Sequence, residues 1–202
     1  MSDFTHPYLA EFQSCRGIRW GYTGDNRMPM TRRYAWSCLS EEAVRLAVQQ
    51  GPLLSLGSGN GYNEWLLQRE GGDVIATDVA PPRVADDIEE GGWYWKTRDD
   101  MPTYKKEWTE VQHLDALSAV RKYPSRNLLY IWPCYEPEGD WDAEALVESR
   151  CERVVFVGEG WMGCTGGELL HELLEDCFTK VKEASVHQWQ GIHDYMRVYV
   201  RK

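Results

Sequence analysis

The stretch Leu53-Leu54-Ser55-Leu56-Gly57-Ser58-Gly59-Asn60-Gly61-Tyr62 constrains what this chain can fold into more than any other. Its apolar start has the length of a buried strand, which breaks at once into glycine at every second position. From Tyr62 the pattern turns helical, with Trp65, Leu66 and Leu67 ahead of Gly71-Gly72, and a second apolar run, Val74-Ile75-Ala76-Thr77, ends on Asp78. A strand, a glycine turn, a helix and a strand closed by an acid make a unit that holds a nucleoside. Glycine lets backbone approach the ligand closely, and an acid about 20 residues further on is placed to accept the ribose hydroxyls.

The third glycine selects among nucleosides. The spacing here is Gly57-x-Gly59-x-Gly61, with Tyr62 where a dinucleotide fingerprint carries its last glycine, and the next turn has no Lys or Arg to meet a phosphate. A ligand with a ribose and no phosphate fits this turn, and S-adenosylmethionine (SAM) is the common one. Gly57, Ser58, Gly59, Gly61 and Asp78 therefore form the expected cofactor loop.

This stretch resembles motif I and the following acid of class I SAM-dependent methyltransferases, and from about Tyr34 onward the order of segments is similar to that family. Tyr34-Ala35-Trp36, Trp132-Pro133-Cys134-Tyr135, Gly158-Glu159-Gly160, Gly163-Cys164-Thr165-Gly166 and Gln188-Trp189-Gln190-Gly191-Ile192-His193-Asp194 resemble, more narrowly, a small group of methyltransferase-like proteins. The resemblance implies an α/β, Rossmann-like class I methyltransferase fold: a mostly parallel seven-stranded sheet, helices on both faces and a closing antiparallel strand. It implies SAM as cofactor and says nothing about the substrate. It also makes Tyr34 and Trp36 candidates to cover the adenosine, with plain core packing as the equal alternative. In the family an acid at the position of Asp115 commonly receives the adenine amino group; the same residue suits the N-cap of a helix over 116–122. Two departures stand out. Trp132 replaces the Asp or Asn that often precedes Pro in amino-group methyltransferases, and Ser55 stands where the family often has an acid near the cofactor's amino group.

The chain has 202 residues and 43% hydrophobic composition, enough for one domain with a real core, and no apolar run long enough to span a bilayer. Its start, Met-Ser-Asp-Phe-Thr-His-Pro, lacks the features of a signal peptide, and the six cysteines (Cys15, Cys38, Cys134, Cys151, Cys164, Cys177) contain no C-x-x-C pair. These features predict reduced thiols, no metal site, no membrane and a cytoplasmic location. The net charge of −10 disfavours a nucleic-acid partner. Residues 1–36 run the other way, with five arginines against Asp3, Glu11 and Asp25, and are rich in aromatics. They read as an arm packed on the body, its arginines pairing with acids there, ahead of a single cofactor-binding domain over 37–202.

Along the body, Ser40-Glu41-Glu42 reads as a cap and first turn of a helix that ends near Gly51-Pro52. Strands are expected at 110–114, 127–132 and 153–157, with a helix at about 142–150 between the last two. A capping box at Thr165–Glu168 should open a helix over 169–178. A hairpin of 180–186 and 195–200 closes the sheet.

Ligands of an open parallel sheet bind beyond the carboxyl ends of the strands. That rule selects the loops 57–62, 78–82, 132–137 and 158–166, with 188–194 on the same rim. Trp132, Trp161 and Trp189 fall in these loops and suggest a tryptophan-walled pocket, and Trp132 joins the cofactor-binding set. Methyl transfer to a hydroxyl or amine needs in-line positioning and a proton acceptor. The candidates are Glu159, which sits between two glycines, His193 and Tyr135, with Asp194 and Cys134 as weaker ones. The reading that results is a SAM-dependent methyltransferase acting on a small molecule. A protein side chain or terminus ranks second as acceptor and nucleic acid third. The rivals are a non-catalytic binding or assembly subunit on the same fold, and a nicotinamide-linked oxidoreductase, which Tyr62 disfavours.

Overall fold

The computed structural model describes residues 4–14, 27–83, 106–133 and 139–202. Seven strands form one sheet in the order β3-β2-β1-β4-β5-β7-β6. They are β1 (Leu53–Leu56), β2 (Val74–Asp78), β3 (Val111–His113), β4 (Asn127–Ile131), β5 (Arg153–Gly158), β6 (Phe178–Ser185) and β7 (Tyr195–Arg201). The first five run parallel, and β7 enters antiparallel between β5 and β6. This is the class I methyltransferase architecture, mostly parallel with an antiparallel closing strand.

β1 is buried along its whole length, as a central strand covered on both faces must be. Successive side chains alternate between the faces, so Leu53 joins a core with Val44, Leu66, Val155 and Val198, while Leu54 and Leu56 join one with Leu128, Tyr130, Phe156 and Leu170. The first face is covered by α3 (Glu41–Val48) and α4 (Tyr62–Arg69), and the second by α5 (Ala116–Lys122), α6 (Trp141–Glu148) and α7 (Glu168–Cys177). Ser40 caps α3 as expected, its hydroxyl accepting from the Ala43 N–H at 3.1 Å.

The capping box expected for α7 is absent. The Thr165 hydroxyl turns the other way and donates to the Glu159 carbonyl at 3.1 Å, and the N-cap residue is Gly167. The cap is supplied at long range instead: the buried Asp142 carboxylate on α6 accepts from the Gly167 N–H at 2.9 Å. A carboxylate against the positive end of a helix is the favourable sign.

The arm supplies two helices, α1 (Pro7–Ser14) and α2 (Arg27–Arg33). Tyr8, Leu9, Phe12, Met30 and Tyr34 form a third core around Tyr62, the first residue of α4. The Tyr62 hydroxyl accepts from the Tyr8 N–H at 3.0 Å and lies 2.8 Å from Nδ1 of His6. Since His6 Nε2 faces the Leu39 carbonyl at 3.0 Å, which can only accept, Nε2 carries the proton and Nδ1 accepts from Tyr62. Arg33 pairs with the arm's own Glu11 at 2.9 Å, and Arg27 lies over two indole rings.

Burial depresses the His6 pKa to about 4, and the bond to Leu39 only partly offsets that shift. A depressed folded-state value means that the unfolded chain takes up the proton first, so this stability is complete above about pH 6.5 and is lost as pH falls toward 4. The stability advantage of wild type over His6→Gln, from urea unfolding, should therefore shrink between pH 7.5 and pH 5. A constant difference would show that His6 does not titrate with folding.

Candidate functional site

The glycine loop leaves β1 with Gly57, Gly59 and Gly61 all at positive φ (71°, 57° and 74°). At Gly61 both conformation and space require glycine, because a Cβ there would lie 2.8 Å from Val111 Cγ2 and 2.9 Å from Thr109 Cγ2. Ser58 stitches the loop to the end of β2: its N–H donates to the Thr77 carbonyl at 2.9 Å and its hydroxyl accepts from the Thr77 N–H at 3.2 Å. Asp78, at the tip of β2, accepts from Gly59 N–H through Oδ2 and from Ala80 N–H through Oδ1, each at 2.8 Å. One backbone donor per oxygen leaves acceptor capacity on both, which is what a ribose diol requires. Asn60 fastens the loop to the arm, its amide donating to the Arg32 and Arg33 carbonyls at 3.3 and 3.2 Å.

The carboxylate absent at Ser55 arrives from another residue. Glu64, in the first turn of α4, is 2% exposed, and its Oε1 accepts from the Ser55 hydroxyl at 2.6 Å. Burial pushes its pKa up to about 7 against the bond from Ser55. The sequence pattern missed Glu64 because hydrophobic periodicity passes over a polar residue on a buried helix face; its one signal was an acid just after the glycines. The same pattern missed Trp141, whose ring edge lies 3.3 Å from where a Gly57 Cβ would sit.

Register places the next elements. Leu56 on β1 is paired with Tyr130 on β4, so Trp132, two residues further, stands level with the start of the glycine loop. Trp132 is buried at φ +54°, a left-handed conformation costly for a bulky side chain (of order 1–3 kcal/mol). Its N–H donates to the Val157 carbonyl at 2.7 Å. Trp36 stacks on it, with ring centroids 5.7 Å apart and an interplanar angle of 11°.

Tyr34 and Trp36, two residues apart, part company. Tyr34 is buried in the arm core, stacked on Tyr8 at 5.1 Å, and only Trp36 reaches the rim of the sheet. The three loop tryptophans also separate. Trp189 donates to the Tyr8 hydroxyl at 2.9 Å within the arm core, and Trp161 is 45% exposed, so no pocket is walled by all three. Asp115 is the N-cap of α5, accepting from Ser118 N–H and hydroxyl at 2.8 and 2.6 Å. These bonds hold its carboxyl below the usual range.

Among the proton-acceptor candidates, Glu159 has both oxygens engaged. Oε1 accepts from the His193 N–H at 2.9 Å, and Oε2 accepts from the Cys164 N–H and thiol, each at 3.0 Å. Burial alone would raise Glu159, but these bonds outweigh it and hold the carboxyl low. The His193 ring is exposed at the rim, while neighbouring Asp194 is buried and accepts from the Ser37 hydroxyl at 2.6 Å. Tyr135 and Cys134 lie outside the described residues.

With fold and site in view, the strand order and the antiparallel closing strand define a class of fold, the Rossmann-like class I methyltransferase fold. The individual structures similar to this one agree. The chain resembles N-methyltransferase NodS from Bradyrhizobium japonicum WM9 in complex with S-adenosyl-L-homocysteine, with TM-score 0.52 and 13% identity over 97% of this chain and 99% of that one. It also resembles magnesium protoporphyrin IX methyltransferase (ChlM) from Synechocystis PCC 6803 with bound SAM, with TM-score 0.52 and 11% identity over the whole of both chains. At such identities the likeness is one of fold. No family model matches the chain, and no curated protein does. No described helix is long and apolar enough to cross a membrane.

The raised Glu64 value has a definite sign. The folded state holds the proton more tightly than the unfolded chain, so the contribution is full below about pH 4.5 and is lost as pH rises through 7. Glu64→Gln should therefore be more stable than wild type at pH 8, by on the order of 3 kcal/mol, and should lose that advantage at pH 4.5. Urea unfolding at the two pH values checks both the size and the sign.

Proposed function

We propose that this chain binds SAM in the Gly57–Gly61 loop and transfers its methyl group to a small-molecule acceptor. The observation that carries the reading is the loop itself: positive-φ glycines at the carboxyl end of the central strand, closed by a half-buried acid with acceptor capacity to spare. The residues present fit the cofactor. Asp78 takes the ribose hydroxyls, Asp115 the adenine amino group, and Glu64, steadied by Ser55, faces the amino group in place of the missing motif I acid. Trp36 and Trp132 wall the side from which the acceptor arrives.

When bound, SAM supplies an electrophilic methyl group on a sulfonium. What remains for the protein is to hold the acceptor in line, exclude water and take up a proton. His193, with its ring free of the loop bonds that occupy Glu159, is the proton acceptor in this reading. Glu159 shapes the rim by tying the 158–165 turn to the 188–194 loop. The second reading is a binding subunit without catalysis, favoured by Glu159, whose two oxygens are both taken up by loop donors. A protein acceptor comes next after a small molecule, and nucleic acid last, given the net charge of −10.

Calorimetric titration tests the reading, after mass spectrometry has excluded co-purified ligand. SAM should bind with micromolar affinity and NAD should not. Asp78→Ala should weaken SAM by about 10- to 100-fold, the worth of hydrogen bonds to a charged group. Glu64→Gln should weaken it as well, despite its greater stability at high pH. Binding followed by SAM turnover with a panel of amines and phenols would support transfer to a small molecule. Turnover only with peptides or RNA would overturn that acceptor class. Binding without turnover on any of them would favour the non-catalytic subunit, and no binding at all would overturn the cofactor.

A further inference from the structure

Arg27 at the start of α2 occupies a place that needs explaining. Its guanidinium carbon lies 5.0 Å from the Trp36 ring centroid and 4.7 Å from that of Trp132, and the two rings are nearly parallel at 5.7 Å. Those three lengths make a near-isosceles triangle, so the cation sits beside the stacked pair, about equally far from both rings and within cation–π range of each. Its Nη2 lies 3.5 Å from the Trp36 carbonyl. Two indoles held in parallel across distant parts of the chain, one of them in a strained left-handed conformation, present a surface made for a planar cation.

A second observation points the same way. Ser37, next to Trp36, binds Asp194 Oδ2 through its hydroxyl, and its carbonyl lies 3.5 Å from the Asn63 amide nitrogen. Asp194 and Asn63 are 2% and 3% exposed, yet Oδ1 of each has no hydrogen-bond partner among the described residues. A buried acceptor without a donor is costly, and here two of them flank the residue that follows Trp36. Arg27 Nε is likewise buried without a hydrogen-bond acceptor among the described residues, so donor and acceptors lie in one neighbourhood and are not matched to each other. The charge of Arg27 also stabilises ionised Asp194, which places both in one electrostatic neighbourhood.

We infer that the Trp36–Trp132 pair together with Asp194 is a recognition site for a cationic small molecule bearing a guanidinium or alkylammonium group, and that Arg27 stands in for that group in this structure. The site lies at the carboxyl end of β4, level with the glycine loop, so its ligand is the acceptor substrate if the methyltransferase reading holds; only the word substrate rests on that reading. Arg27 must leave its place beside the stacked rings for the ligand to bind there, and the arm thereby competes with it.

The test uses the full chain and two isosteric probes, butylguanidinium and neutral butylurea, followed by calorimetry and indole fluorescence. Arg27→Ala should bind butylguanidinium at least tenfold more tightly than wild type, and butylurea should bind neither. Adding Trp36→Ala or Asp194→Asn to Arg27→Ala should remove the gain. Arg27→Gln serves as a second variant, and near-ultraviolet circular dichroism verifies folding of each. No gain in folded Arg27→Ala or Arg27→Gln would overturn the inference, as would equal binding of butylurea or a gain that persists without Trp36. Titrating SAM on the same samples separates the two readings. SAM binding without a guanidinium gain sinks this site alone, and the gain without SAM binding sinks the cofactor alone.

Discussion

The burial of β1 on both faces is the constraint from which the rest of the site follows. A strand with helices above and below has no exposed face on which to display polar groups. Whatever the sheet does chemically must be done where strands end. The chain leaves β1 through three left-handed glycines, which turn it sharply enough to begin α4 at Tyr62. The backbone donors freed by that turn are taken up by Asp78, Thr77 and Asn60, so the loop is fixed from β2 and from its own side chains before any ligand arrives. The same turn delivers Tyr62 to the arm, where its hydroxyl organises Tyr8 and His6. One short segment thereby sets the glycine loop and the seat of the N-terminal arm together.

Much of this was legible in the sequence, and the parts that were not share a cause. Strand, turn, helix and acid over 53–78 depend on local spacing, and the parallel strands at 111, 127 and 153 are short apolar runs between polar loops; all carry their signal within a few residues. Asp115 could be read as a cap because a cap is a local device. Glu64 could not be read as a site residue, because nothing local distinguishes a buried acid from a solvated one on a short helix. The cap of α7 comes from Asp142 on a different helix, and Thr165, the residue local chemistry would choose, is drawn to the Glu159 carbonyl by the fold of its own loop. Tyr34 and Trp36 were equivalent in sequence, and only packing decides that one goes into the arm and the other to the rim. Trp132 was marked by its departure from a familiar pattern, but its partner could be found only in three dimensions.

The carboxyl edge also gathers acids that are buried or half-buried. Glu64, Asp78 and Asp194 lie in or beside the loops of this edge, and in each case burial is the first cause of a pKa above the ordinary carboxylate range. Such groups cost stability near neutral pH, since each must be held ionised with little water or shift toward its neutral form. Asp142, a further acid with a raised value, is compensated within the structure by capping α7. Asp194 is not, because one of its oxygens faces no donor among the described residues. Each of the three holds a local hydrogen bond, Asp78 to the glycine loop, Glu64 to Ser55 and Asp194 to Ser37, without filling its acceptor capacity. Their common property is that each is stabilised by an arriving cation or hydrogen-bond donor, and a sulfonium cofactor with an ammonium tail, together with a cationic acceptor, would bring such partners to the same edge. On that view the arm's Arg27, lying over Trp36 and Trp132, supplies part of the missing charge in the absence of ligand, and stability is conceded at the edge where binding recovers it.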